Sequence, residues 1–245
     1  MSRPTFPSRR AARRRMSLPA MMVAAIVAIP ALVPASASAD LSQLTGFNGT
    51  VFSITGPDAN GIRYVGGNFT SFNPYDSGPA GLVDGTTAKV NVKFPKVEGN
   101  SNTVYTTVSD GNGGWYIGGQ FNTVGGVSAP NAAHVLSDGT VDANWIPSPS
   151  SSVKAIAVSG STVYLGGDFT QVGGQTRYRA AAVTTGGALL DWNPNVNNSV
   201  KAIAVSGSSV YLAGTFWTVN GQTRNRAAAV GTDGTLLSWD PNASN

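Results

Sequence analysis

The sequence predicts an all-β protein made of β-propeller-type blades, about four repeats of 47–52 residues, each with four antiparallel strands. Three observations predict it. A Gly-Gly-x-Phe motif recurs as Gly66-Gly67-Asn68-Phe69, Gly118-Gly119-Gln120-Phe121 and Gly166-Gly167-Asp168-Phe169, with an altered fourth copy, Ala213-Gly214-Thr215-Phe216. The phenylalanines are spaced by 52, 48 and 47 residues. A Trp-x-Pro motif recurs at Trp145, Trp192 and Trp239, twice at an interval of 47. The last two units, 151–197 and 198–244, match at 32 of 47 aligned positions. Two separate motifs that share one period mark a tandem array. The period is too long for the usual rung of a β-solenoid and fits one propeller blade.

Each element of the unit follows from local chemistry. Residues 153–158 are short and apolar-rich, and Ser159-Gly160-Ser161 is a turn. Residues 162–169 are β-branched and aromatic, so they read as the second strand. Gly173-Gly174-Gln175-Thr176 is a longer loop, and residues 180–184 are a small apolar strand. A glycine turn follows at Gly186-Gly187, written Asp84-Gly85, Asp138-Gly139 and Asp233-Gly234 in the other units. Asp-Gly between short apolar runs signals a hairpin, because both residues accept the positive φ of a type I′ turn. Residues 188–192 close the unit. Paired glycines weaken a strand, so they require a reason, either close backbone approach near a crowded axis or a bulge. The motif phenylalanines and tryptophans then fill the space between neighbouring blades.

The run from Tyr164 to Arg179, Tyr-Leu-Gly-Gly-Asp-Phe-Thr-Gln-Val-Gly-Gly-Gln-Thr-Arg-Tyr-Arg, closes on Asp191-Trp192-Asn193-Pro194. It resembles the delta-sixty repeat of bacterial secreted and surface β-propellers, as does the copy at 211–226 and 239–241. The resemblance covers roughly residues 51–245. It is strong in the last two units, fair in 104–147 and weak in 51–95, where Phe94-Pro95 replaces Trp-x-Pro and Asn73-Pro74-Tyr75-Asp76 replaces the Gly-Gly-Gln-Thr loop. It implies a propeller, export, and a binding or scaffolding role. It supplies no catalytic residue.

The N-terminus reads as a signal peptide over residues 1–39. Six arginines without an acid precede an apolar run from Met16 to Val33, and Ala37-Ser38-Ala39 precedes Asp40. That order of basic, apolar and small residues places cleavage between Ala39 and Asp40. A membrane anchor is the rival reading, but the run is short and broken by Pro19 and Pro30. The repeat domain is then 40–245, with approximate units 47–94, 95–147, 148–194 and 195–245. Removing six of the 16 basic residues leaves ten against 12 acids, a net charge of −2. The basic charge thus belongs to the leader, and the mature chain has no long-range pull on nucleic acid or, once the signal is gone, on membranes. Without cysteine, packing alone must stabilise it, and thiol or zinc–cysteine chemistry is excluded.

The last lead-in, Trp239-Asp240-Pro241-Asn242, repeats Trp192-Asn193-Pro194-Asn195 and then the sequence ends. Four units either close a small ring or form the front of a longer array. The second reading is preferred, because no dedicated closing segment follows.

Catalytic equipment is sparse. The one histidine, His134, aligns with Ala182 and Ala229 and reads as an ordinary strand residue; the one glutamate, Glu98, lies on a linker. Asp58, Asp76, Asp84, Asp138 and Asp233 stand mostly in turn contexts, where Asp is favoured locally. Glycosidase chemistry needs two carboxylates a few ångströms apart, and no spacing indicates such a pair. Asp110-Gly111-Asn112-Gly113-Gly114 hints at a calcium loop, but Phe121 stands where the twelfth-position glutamate belongs, and a hairpin turn is the better reading. No metal or cofactor is expected, and the reading is a non-catalytic module for a protein or glycan partner. A structural segment of a larger surface protein is the alternative, and a propeller-based hydrolase, lyase or quinoprotein-like oxidoreductase is disfavoured. Residues peculiar to single units are the candidate contacts. Trp217 aligns with Thr70, Asn122 and Thr170, and could stack on a sugar or a partner side chain. Arg177 and Arg224, in Arg-x-Arg with Arg179 and Arg226, either bind a ligand or tie loop carbonyls, the second being preferred.

Overall fold

The computed structural model describes residues 47–57, 61–71, 78–87, 90–91, 94–99 and 101–243. They all belong to one compact unit, Pro34–Asn245. Residues 1–39 expected as a signal peptide, the Ala39–Asp40 junction, Asp58, Asp76 and the 73–76 loop lie outside the described residues. Among those described, no helix is long and apolar enough to cross a membrane.

Among the described residues, twenty strands form four β-propeller-type blades. Blade 1 holds β1 (Val51–Ile54), β2 (Ile62–Gly67), β3 (Ala80–Asp84) and β4 (Val90–Asn91), paired in that order. Blade 2 holds β5 (Val97–Glu98), β6 (Thr103–Ser109), β7 (Trp115–Gln120), β8 (Thr123–Val124), β9 (Val127–Ser128) and β10 (Ala132–Val135). Blade 3 holds β11 (Val153–Ser159), β12 (Thr162–Gly167), β13 (Gln171–Val172), β14 (Gln175–Thr176) and β15 (Ala180–Thr184). Blade 4 holds β16 (Val200–Ser206), β17 (Ser209–Gly214), β18 (Thr218–Val219), β19 (Gln222–Thr223) and β20 (Ala227–Gly231).

Each blade is an antiparallel meander, β6-β7-β10, β11-β12-β15 or β16-β17-β20 in the last three. There the fourth strand shrinks to one bridge: Val135↔Val141, Val183↔Leu189 and Val230↔Leu236. The chain is needed elsewhere. After the first two bridges it turns through the tryptophan and crosses to the following blade, where Pro149 bridges Val172 and Val196 bridges Val219. The segment expected as a long loop is a tight hairpin, β13–β14, and it receives that crossing chain.

The paired glycines do two different jobs. The register of β11 on β12 slips between Val153 and Ala155, a bulge repeated in all four blades. At the bulge the second glycine lies against the first strand: a Cβ on Gly167 would stand 2.1 Å from the Ser152 carbonyl oxygen. The first glycine faces the following blade. A Cβ on Gly166 would stand 2.7 Å from Val200 Cγ1, and one on Gly118 2.6 Å from Val153 Cγ1.

The core accordingly lies between successive blades. β2 packs on β6, β7 on β11, and β12 on β16. Between blades 3 and 4, Tyr164, Ala180, Ala182 and Trp192 meet Val200, Val210, Leu212, Phe216 and Val230. Phe69, Phe121, Phe169 and Phe216 are all fully buried. Each such ring contributes roughly 1.5–3 kcal/mol of transfer free energy.

Candidate functional site

Two places in the array break the repeat, a polar cluster inside blade 2 and the exposed surface of blade 4.

In blade 2, β10 carries His134 into the sheet interior, stacked on Tyr116 with ring centroids 4.3 Å apart. Its Nδ1 lies 3.1 Å from Asp142 Oδ2 and its Nε2 3.0 Å from Asp110 Oδ2. Each ring nitrogen thus has a carboxylate oxygen within hydrogen-bond reach. The other oxygens are also committed. Asp110 Oδ1 accepts from the amides of Asn112 and Gly114, and Asp142 Oδ1 from that of Asn144. Burial, then the charges of Asp110 and Asp142, push the Tyr116 phenol up to about 12. The cluster cross-braces the turn at 110–114 to Asp142, the residue after the Val135–Val141 bridge. It is enclosed, and each ring nitrogen is already engaged, so it resembles a strut more than a proton relay.

Sequence reasoning placed His134 as an ordinary strand residue and Asp110 in a plain turn, and it missed Asp142. A signal was present. Asp142 donates its amide to the His134 carbonyl as Leu190 does to Ala182 and Leu237 to Ala229. His134 and Asp142 therefore replace an Ala and a Leu at positions joined across strands.

The turn carboxylates are spent locally. Asp138 Oδ1 accepts from the Thr140 amide and hydroxyl, and Asp233 Oδ1 from those of Thr235. These bonds hold both carboxyls below the usual range. Asp168 is also lowered: burial acts to raise it, but Lys154, Ser199 and Ser152 outweigh that. Among the described residues, no group of three or more His, Cys, Asp or Glu is placed to hold a metal ion.

Arg177 Nη1 and Nη2 donate to the carbonyls of Thr176 and Leu190, both at 2.9 Å. Arg224 repeats the fork on Thr223 and Leu237 and lies 3.8 Å from Asp240. Arg179 and Arg226 sit in the left-handed region at φ 64°, and Arg179 donates to the Asp168 carbonyl. Trp217 stands beside the second fork: its carbonyl accepts the Arg224 amide at 3.0 Å. It follows Phe216 at the entrance to β18, with its amide on Asn197 Oδ1 and its ring 56% exposed.

The rest of blade 4 differs from blade 3 through its surroundings. β11 and β16 share the heptapeptide Val-Lys-Ala-Ile-Ala-Val-Ser. Ala155 and Ile156 are buried, whereas Ala202 is exposed and Ile203 half-buried. Lys154 Nζ pairs with Asp168 at 2.6 Å; Thr215 takes the position of Asp168 in blade 4, and Lys201 is exposed. Trp192 is 5% exposed and its counterpart Trp239 44%. At the other end, β1 exposes Val51, Phe52 and Ile54.

Residues 111–144 match the family described as a domain of unknown function (DUF5122) beta-propeller. No curated protein matches the chain. Solved structures similar to it include the computationally designed Ika4 protein, at 15% identity over 80% of this chain and 94% of that one, with a TM-score of 0.49. Another is the extracellular domain of a putative hybrid two component system from B. thetaiotaomicron, 17% identical over 80% of this chain, which spans 23% of that one, with a TM-score of 0.47. A third is a GH74 enzyme of Niastella koreensis, 16% identical over 82% of this chain and 38% of that one, with a TM-score of 0.41.

Proposed function

We propose that this chain is an exported, non-catalytic β-propeller module of the delta-sixty-repeat type that binds a glycan or protein partner outside the cytoplasm. The observation that carries the reading is the contrast between Trp217 and the ionisable groups. The Trp217 ring stands free on the surface, 56% exposed. The carboxylates of Asp110, Asp138, Asp142, Asp168 and Asp233 are each held by turn amides, hydroxyls or a fixed cation. A site for acid–base or nucleophilic work keeps such groups in reach of substrate. An exposed flat aromatic face suits stacking on a sugar ring or a partner's side chain. The basic and apolar leader supports export.

The test is binding by the full-length protein to arrayed oligosaccharides and to purified surface proteins, with Trp217→Ala alongside. The reading expects saturable binding that weakens about tenfold on this truncation, a loss of about 1.4 kcal/mol, while the melting temperature holds. Turnover of chromogenic glycoside or ester substrates that disappears when Asp110 or Asp142 is changed to Asn would overturn it.

A further inference from the structure

The face that blade 4 turns away from blade 3 carries the parts with which earlier blades hold their successors. In blade 3 that face is Tyr164, Gly166, Ala180, Ala182 and Trp192. It takes Val200 and Ile203 of β16 over Gly166, and Trp192 Nε1 donates to the Gly231 carbonyl at 2.9 Å. Blade 2 holds blade 3 in the same way, with Val153 and Ile156 over Gly118 and Trp145 Nε1 on the Thr184 carbonyl at 3.0 Å. Blade 4 presents Tyr211, Ala213, Ala227, Ala229 and Trp239 in these positions. Trp239 already packs edge-on against Tyr211 at 5.3 Å, as Trp192 does against Tyr164 at 5.1 Å. Its indole N–H donates to no acceptor among the described residues.

The complementary parts stand at the other end of the chain. Val51 pairs with Gly67 as Val153 pairs with Gly167 and Val200 with Gly214. Val51 and, three residues on, Ile54 thus hold the positions of Val200 and Ile203, and each is 36% exposed. The end of β3 corresponds to the carbonyls that accept a tryptophan: Ile62 pairs with Asp84 as Thr162 pairs with Thr184 and Ser209 with Gly231.

We propose that this face of blade 4 docks the β1 edge of a second copy, head to tail, with Val51 and Ile54 over Ala213 and Trp239 donating to the main chain at the end of β3. The contact repeats the interface that already joins blade 2 to blade 3 and blade 3 to blade 4 inside one chain. One residue departs from the pattern. A Cβ at Gly166 would meet Val200 Cγ1 at 2.7 Å and Ile203 Cδ1 at 2.8 Å, and Ala213 carries that methyl. Within a chain the connecting segment fixes the blade spacing; between two copies the spacing can widen. The methyl therefore weakens the contact without forbidding it. The interface is heterologous, so it either closes a ring or extends.

Sedimentation velocity of the full-length protein over a concentration series tests this. The expected result is reversible, concentration-dependent association. Ala213→Gly tightens it about tenfold, and Trp239→Phe, which keeps a ring and removes the donor, weakens it by about the same factor. Ile54→Asp and Ala213→Asp each abolish self-association, yet the two variants mixed together form a heterodimer, because each retains one intact end. That mixing result also shows that both variants are folded. A protein that stays monomeric throughout overturns the proposal. So does association indifferent to all four substitutions, which would place the contact elsewhere, for example in the apolar run 16–33.

Discussion

Trp192 donates its indole N–H to the carbonyl of Gly231, one blade ahead, at 2.9 Å. The ring fills the space between blades and the N–H stitches them together. Trp192→Ala is expected to cost about 3–5 kcal/mol, as for other buried aromatics. Trp192→Phe keeps most of the apolar contact and removes one of the two donors to that carbonyl, which still accepts the Gly234 amide, at about 0.5–1.5 kcal/mol. Urea denaturation of both variants measures the two parts separately. A transition unchanged in Trp192→Ala would refute the inter-blade role.

Gly166→Ala puts a methyl within 2.7 Å of Val200 Cγ1, a branched side chain with little room to retreat. The expected loss is about 1–3 kcal/mol from overpacking. The reverse change in blade 4, Ala213→Gly, relieves no such contact within the chain, and its cost is limited to glycine's flexibility, about 0.5–1 kcal/mol. Thermal unfolding of the two should therefore give unequal losses, the larger from the added methyl.

Tyr64, Tyr116 and Tyr164 occupy one register position in three blades, and burial raises all three phenols. A neutral phenol favoured by the folded state stabilises it fully below pH ~10, the ordinary tyrosine value. That contribution is lost as pH climbs through the raised folded-state values, about 12 for Tyr116. Unfolding transitions recorded at rising pH should fall across this window, with phenolate absorbance appearing together with unfolding. Tyr116→Phe should flatten part of the decline. Phenolate that forms at ordinary pH in the intact fold would contradict the burial argument.

His134→Ala leaves Asp110 and Asp142 without the ring between them, and about 1–3 kcal/mol is the usual scale for leaving a buried hydrogen-bonding group without its partner. Adding Asp142→Leu rebuilds the Ala182–Leu190 arrangement of blade 3 and should recover part of the loss. A double-mutant cycle by denaturant unfolding measures the coupling, and additivity would show that the two residues do not act together.

The blade plan was legible because its residues answer to geometry that every unit shares. Gly166 and Gly167 needed a reason, and the packing supplies two: a close approach by Val200 and a bulge against Ser152. The single bridge in place of a fourth strand was not legible, because the crossing to the β13–β14 hairpin depends on where the following blade stands. The cluster of Asp110, His134 and Asp142 was hidden for a related reason. Its members are 8 and 24 residues from the histidine, and only the sheet brings them together. Trp217 was recognised as an outlier, but its exposure could be read only once its neighbours were in place.

Every tryptophan stitch runs forward, from Trp145 to Thr184 and from Trp192 to Gly231, a span of 39 residues each time. A blade is therefore unfinished when its own last residue is made. Translation at ~5–20 residues per second leaves each Tyr–Trp face waiting about 2–8 seconds for the strands that cover it. The nascent chain thus always carries one sticky end, always on its newest blade. Shielding that end as it emerges would be part of making the protein at all.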